Sequence, residues 1–197
     1  KTITTPSHSK ARAFGYSLAN SVIDAFNENT FELSPDPTIT FSALEVELGI
    51  ENFMLSMGTL LGVVDSSPQF HLTPPFIRYL SEVAFIQLGD ATITGIPGEL
   101  YPEIAVGGIE SPKGADFAIE PQEVPPLRGQ LPGKLNLMVN LANDAIGYII
   151  PKSEWDKDAP WIYDESEETY GEVVSLGPNT APVIHQTVIK LAEESKP

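Results

Sequence analysis

The chain has 197 residues, enough for one core of ordinary size and few for two. Hydrophobic content of 42% and charged content of 19% are globular values, but 27 acidic residues against 11 basic ones leave a formal net charge of −16. That balance argues against nucleic acid as a partner, since phosphate binding needs clustered lysine and arginine, and against a permanent seat on anionic lipid. Cysteine is absent, which removes disulfides, thiol nucleophiles and cysteine-based zinc sites together. No apolar run reaches the ~18 residues of a membrane-spanning helix. The N-terminal KTITTPSHSKARAF shows no signal-peptide pattern and no initial methionine, so the expectation is that an upstream segment has been removed.

Ser9 to Asn27 reads as an amphipathic helix, with Ala11, Phe14, Leu18, Val22 and Phe26 at three- and four-residue steps and Ser7 or Ser9 as the cap. Asn29 to Pro37 is turn chemistry. A strand pattern with a slip follows. Ile39, Phe41 and Ala43 alternate on odd positions, then Leu44, Val46 and Leu48 on even ones, which predicts a β-bulge or bend near Ala43. Phe53 to Val64 reads as a further strand and Ser66 to Pro75 as a loop. Val83 to Leu88 and Ala91 to Ile96 form two short strands joined by a hairpin at Gly89-Asp90. Pro97 suits the first turn of a helix over roughly Glu99 to Val106, stopped by Gly107-Gly108. Leu135 to Leu141 alternates as a central strand should. Ala142 to Ala145 turns, Ile146 to Ile150 continues, and Pro151 to Trp155 opens a helical turn. Pro178 to Glu194 is a final helix, capped near Gly177 or Asn179. The expectation is a single domain over 1–197, with long surface loops at 110–132 and 156–177. Its class is mixed α/β (α+β), a mixed sheet with hairpins flanked by helices and incomplete without an upstream half.

Phosphate-binding, dinucleotide, HExxH and GxSxG motifs are all missing. His8, His71 and His185 are far apart, and none has a histidine at metal-ligand spacing. Two stretches remain. In Pro97-Gly98-Glu99 a carboxylate at a strand exit is either a helix cap or a ligand at the lip of a site. In Asn140-Leu-Ala-Asn-Asp-Ala-Ile-Gly-Tyr-Ile-Ile-Pro-Lys152 the polar Asn143 and Asp144 close an apolar strand and Gly147-Tyr148 follow, which is either a turn with a packed tyrosine or part of a site. Trp155, Trp161 and Tyr163 form either a lipid-facing rim or side chains that pack back on the body.

Taken together, Pro97-Gly98-Glu99, Leu141-Ala-Asn-Asp-Ala-Ile-Gly-Tyr148-Ile-Ile-Pro and Tyr170-Gly-Glu…Ser175-Leu-Gly-Pro-Asn-Thr180 resemble the C-terminal part of the catalytic region of the neutral/alkaline, non-lysosomal ceramidases. The similarity is clearest over roughly residues 85 to 193. In that family one zinc ion is held by two histidines, a glutamate and a tyrosine. The resemblance implies Glu99 and Tyr148 as the metal ligands. An oxygen-rich zinc shell with an open position suits water activation and polarisation of an amide carbonyl. The departures are as definite. Ser7-His8-Ser9-Lys10 is not the family's histidine motif, and Gly89-Asp90-Ala91-Thr92 does not replace its serine motif, so the catalytic and substrate-binding residues are not identified in this chain.

The resemblance therefore implies the C-terminal portion of a zinc-dependent amidohydrolase acting on the N-acyl bond of ceramide or a related N-acyl lipid. It implies zinc only with histidines from an upstream half of the same protein, covalent or nicked, and a chain inactive by itself. It also implies export to the periplasm, outer surface or medium. The alternative is a non-catalytic α/β binding or interaction module. A missing half would leave apolar surface on the first helix and on the Leu55 to Val64 region.

Overall fold

The structure is a computed structural model that describes residues 5–28, 38–64, 68–164, 166–167 and 169–195. The chain divides into two units, Lys1–Pro37 and Thr38–Pro197. The first unit holds one helix, α1 (His8–Asn27), whose N-cap Ser7 accepts a hydrogen bond from the Lys10 amide. Phe14, Leu18, Val22 and Phe26 are exposed along it. The turn expected over Asn29 to Pro37 lies outside the described residues.

In the second unit the described strands are β1 (Ile39–Gly49), β2 (Pro68–Phe70), β3 (Ile77–Leu88), β4 (Ala91–Gly95), β5 (Glu99–Leu100), β6 (Leu135–Val139) and β7 (Tyr148–Ile149). The helices are α2 (Phe53–Leu60), α3 (Pro102–Val106), α4 (Tyr170–Val173) and α5 (Thr180–Glu194), with short 3-10 turns between them. The fold is mixed: a sheet ordered β1-β3-β4-β6, with β2 also on β3, and helices packed against it. β3 is the spine and pairs antiparallel with β1, β2 and β4, whereas β4 and β6 run parallel. The tight turn at Gly89-Asp90 joins β3 to β4, as the sequence predicts, with Gly89 at positive φ.

Five expectations are corrected. Part of the loop expected over Ser66 to Pro75 is a strand, β2, paired antiparallel with β3. β1 has no bulge; its register runs unbroken from Ile39↔Leu88 to Gly49↔Arg78. The phase slip instead assigns the two halves of one straight strand to opposite faces of the sheet. Phe53 to Val64 is not a strand. Asn52 accepts a hydrogen bond from the Leu55 amide and starts α2, since a short apolar run does not by itself distinguish strand from helix. Glu99 does not open a helix; it lies in β5, and Pro102 takes the first position of α3, which Gly107 ends. β6 is an edge strand, not a central one.

The core lies under α5. Ile184, Val188 and Leu191 on one side of α5 are buried together with Val46 and Leu48 of β1 and Val83 and Phe85 of β3. Between 110 and 177 the chain has little regular structure, yet Ala115, Leu127, Leu131, Trp155 and Ile162 are buried. Buried carboxylates pin these segments. Glu123 accepts from the Lys152 amide, Asp156 from the Ile162 amide and Glu172 from the Asp156 amide.

Candidate functional site

Glu99 and Tyr148 are the two residues singled out as metal ligands, and the fold brings them side by side. β5 and β7 form a separate two-stranded parallel ladder in which Glu99 is paired with Tyr148 and Leu100 with Ile149. Leu100 and Ile149 point into the core, so strand alternation sends Glu99 and Tyr148 together to the other side, where both are half-buried. β5 follows β4 after Ile96-Pro97-Gly98, and β7 follows β6 after a longer loop. The pair thus sits just beyond the carboxyl ends of two parallel strands, the place where α/β sheets present ligand-binding groups.

Each of the two residues is preceded by a glycine, and the packing shows why. A Cβ on Gly98 would lie 2.5 Å from the Gly147 carbonyl oxygen, which accepts the Glu99 amide at 2.9 Å. Gly147 has φ +88, and a Cβ there would run into the Val174 carbonyl. The backbones must touch for the carboxylate and the phenol to meet.

The loop from 140 to 147 fastens this arrangement. Leu141, Ala142 and Ile146 donate backbone hydrogen bonds to Gly98, Ile96 and Pro97. The loop passes β3 where β4 has ended and β2 has not begun. There Asn143 donates to Glu82 at 3.0 Å. Asp144 accepts from Tyr79 at 3.0 Å, Ser81 at 2.9 Å and the Ala145 amide at 2.8 Å. Asp144 is thus a structural anchor with its charge satisfied. Leu141 and Asn143 both have positive φ, which asparagine tolerates well in turns and leucine adopts at a cost.

Around the phenol, Tyr148 meets Tyr101 and Tyr170 edge to face, with ring centroids 6.1 and 6.0 Å away. The Glu99 charge, lost hydration, a hydrogen bond to Glu99 and the neighbouring Tyr170 hold the Tyr148 phenol above its ordinary value. Burial and the Glu172 charge do the same for Tyr101. In this form Tyr148 keeps its proton and donates it towards Glu99. Tyr170 opens the third of the quoted motifs and Tyr101 lies two residues beyond the first, but the motifs give neither a role in a site.

Gly147 and Val174 also form part of the wall of a cleft of about 420 Å³, lined mainly by Ile50, Leu55, Tyr79, Ile146 and Leu176. Its size and apolar lining fit a hydrocarbon group.

The histidines are elsewhere. His71 pairs with Glu47 at 2.6 Å, His185 bonds the Pro125 carbonyl at 2.8 Å, and His8 belongs to the first unit. Among the described residues no group of three or more histidines or carboxylates is arranged to hold a metal ion. Of the aromatic residues, Trp155 is buried and Tyr163 is exposed, its hydroxyl donating to Glu110. Among the described residues no helix is long and apolar enough to cross a membrane. Comparison of the chain with protein-family models, curated proteins and solved structures finds no match.

Proposed function

We propose that the chain is the C-terminal portion of a zinc-dependent amidohydrolase resembling the neutral ceramidases, one that cleaves the N-acyl bond of ceramide or a related N-acyl lipid. The observation that supports this most is the pairing of Glu99 with Tyr148. The resemblance assigns both to one metal, and both motifs carry the glycine that lets the two strands close.

The donors present fit half of a zinc shell: one carboxylate and one phenol, both oxygen, with histidine nitrogens still to come from another segment. Zinc in such a shell supplies a Lewis acid that activates water and polarises an amide carbonyl. The chain's own residues do the rest. The β5–β7 ladder holds Glu99 and Tyr148 at fixed spacing. Tyr101 and Tyr170 keep the Tyr148 ring from turning, and the apolar cleft beside Gly147 receives hydrocarbon. Glu99 and Tyr148 would hold the ion through their oxygens, and its positive charge would favour the deprotonated form of the Tyr148 phenol. The chain would belong among exported hydrolases of sphingolipid or other lipid metabolism.

The test uses the protein with its histidine-bearing segment present. Glu99→Gln and Tyr148→Phe should each lower retained zinc at least tenfold, measured by metal analysis after dialysis, and abolish N-acyl amide hydrolysis. Full zinc content and activity in both variants would return Glu99 and Tyr148 to a packing role.

A further inference from the structure

The cleft beside Gly147 is lined mainly by hydrocarbon, and every residue that lines it belongs to the second unit. One wall is α2, whose burial is inverted. Phe53, Met54, Leu60 and Leu61 of this region are exposed, whereas the one buried residue of α2 is Thr59, 7% exposed. Burying a hydroxyl while phenylalanine and leucine stay in water is the reverse of what transfer energies favour. Hydrogen bonds hold the helix this way round. The Asn52 side chain donates to the Val173 carbonyl at 3.0 Å, and the Ser56 hydroxyl donates to the Ile50 carbonyl at 3.0 Å.

Thr59 lines the cleft, and its hydroxyl meets no hydrogen-bond partner among the described residues. A helical threonine can bond the carbonyl one turn back, and this one does not. Leaving a buried hydroxyl unpaired is costly, so a site of this kind favours an occupant that bonds it over an equally apolar one that does not. Two other polar side chains on the wall, Tyr79 and Asp144, are bonded to each other at 3.0 Å. The negative charge of Asp144 disfavours a carboxylate in the same cleft. At about 420 Å³ the space is near the lower end of ligand pockets, which run from roughly 300 to 1,000 Å³, and it suits one chain rather than two.

We propose that the cleft binds a neutral aliphatic chain that carries a hydroxyl, and that Thr59 selects it by hydrogen bonding. The inference deepens the hydrolase reading and rests on it for the link to hydrolysis: the N-acyl lipid cleaved is one with a hydroxylated chain. Binding itself needs neither zinc nor an upstream segment, so it is measured apart from the Glu99 and Tyr148 test.

The purified chain is titrated with n-hexanol, n-hexyl chloride and hexanoate, and affinities are read from the methyl resonances of Leu55 and Val64, which line the cleft. The alcohol should bind at least about fivefold tighter than the chloride or the carboxylate. Thr59→Val keeps the shape of the side chain and removes its hydroxyl, and should bring alcohol and chloride within about twofold of each other. Thr59→Ser keeps the hydroxyl and should keep the preference. Leu55→Trp fills the space and should abolish binding of both. Equal affinity for alcohol and chloride in the unaltered chain overturns the proposal, as does a preference that survives Thr59→Val. Tighter binding of hexanoate overturns the neutral occupant. Undiminished binding in Leu55→Trp places the probes outside the cleft and overturns the site. Binding of none of the three at millimolar concentration leaves water as the partner of Thr59 and overturns it as well. Selective binding of the alcohol in a protein that cleaves no amide supports the cleft and overturns the hydrolase reading instead.

Discussion

The two faces of the sheet invert the usual relation between burial and polarity. The face under α5 is buried yet carries Ser81, Thr92 and Thr94 among its apolar residues, while the open face is apolar along the paired rows Ile39–Leu88–Ala91–Leu135 and Phe41–Ile86–Ile93–Leu137. Thr92 donates to Asn136 at 2.5 Å, which gives the buried side a reason for its polarity. The open side has no such reason, since water contact gains nothing from Phe41 or Leu137. The difference teaches that polarity on this sheet follows available hydrogen-bond partners more closely than it follows burial.

Substitutions can break this comparison. The largest effect belongs to the covered face: Phe85, 1% exposed, should lose about 3–5 kcal/mol as Phe85→Ala, read from urea unfolding midpoints. A loss under 1 kcal/mol would show that the α5 side is not the core. Thr94 is fully buried, and its hydroxyl meets no hydrogen-bond partner among the described residues. Thr94→Val should therefore stabilise the chain by about 1 kcal/mol in the same assay. Phe41 on the open face is 67% exposed, and Phe41→Ala should change the isolated chain by less than about 0.5 kcal/mol. A cost comparable to that of Phe85→Ala would mean that the face is already covered.

The smallest effect concerns Glu47, further along the open-face side of β1. Loss of hydration works to raise its carboxyl, but hydrogen bonds and charges from Arg78 and His71 outweigh this and hold it below the usual carboxylate range. A depressed folded value means that the contribution is present above the unfolded pKa and lost as pH falls through the folded one. The melting temperature should thus fall slightly between about pH 5 and about pH 3, and Glu47→Gln should flatten that part of the profile.

The elements built from local signals were legible in the sequence. Ser7 caps α1, Gly89-Asp90 turns β3 into β4, and Gly107 stops α3, because each depends on a few adjacent residues. The phase slip at Ala43 is also visible in the sequence, but it implies a bulge only where a single face is buried. The unbroken register shows one strand whose two halves place their apolar residues on opposite faces. The run from Phe53 to Val64 lacks a period that separates strand from helix, and the deciding Asn52 cap is one polar residue among apolar ones. For the site, the identities of Glu99 and Tyr148 came from motif resemblance. Their adjacency did not, since it requires β4 and β6 to pair in parallel across a long crossover that no local pattern announces. The contacts of Tyr101 and Tyr170 are illegible for the same reason: they exist only once Tyr148 lies between the two rings.

The crossover between β4 and β6 also sets a clock. Glu99 leaves the ribosome well before Tyr148, and at ~5–20 residues per second the roughly 50 residues between them take several seconds to appear. The antiparallel β1, β3 and β4 have their partners by then and can assemble first, whereas the β5–β7 ladder must wait for a non-local closure. The carboxylate and phenol therefore meet late, and during synthesis β1, β3 and β4 can be paired before Glu99 and Tyr148 come together.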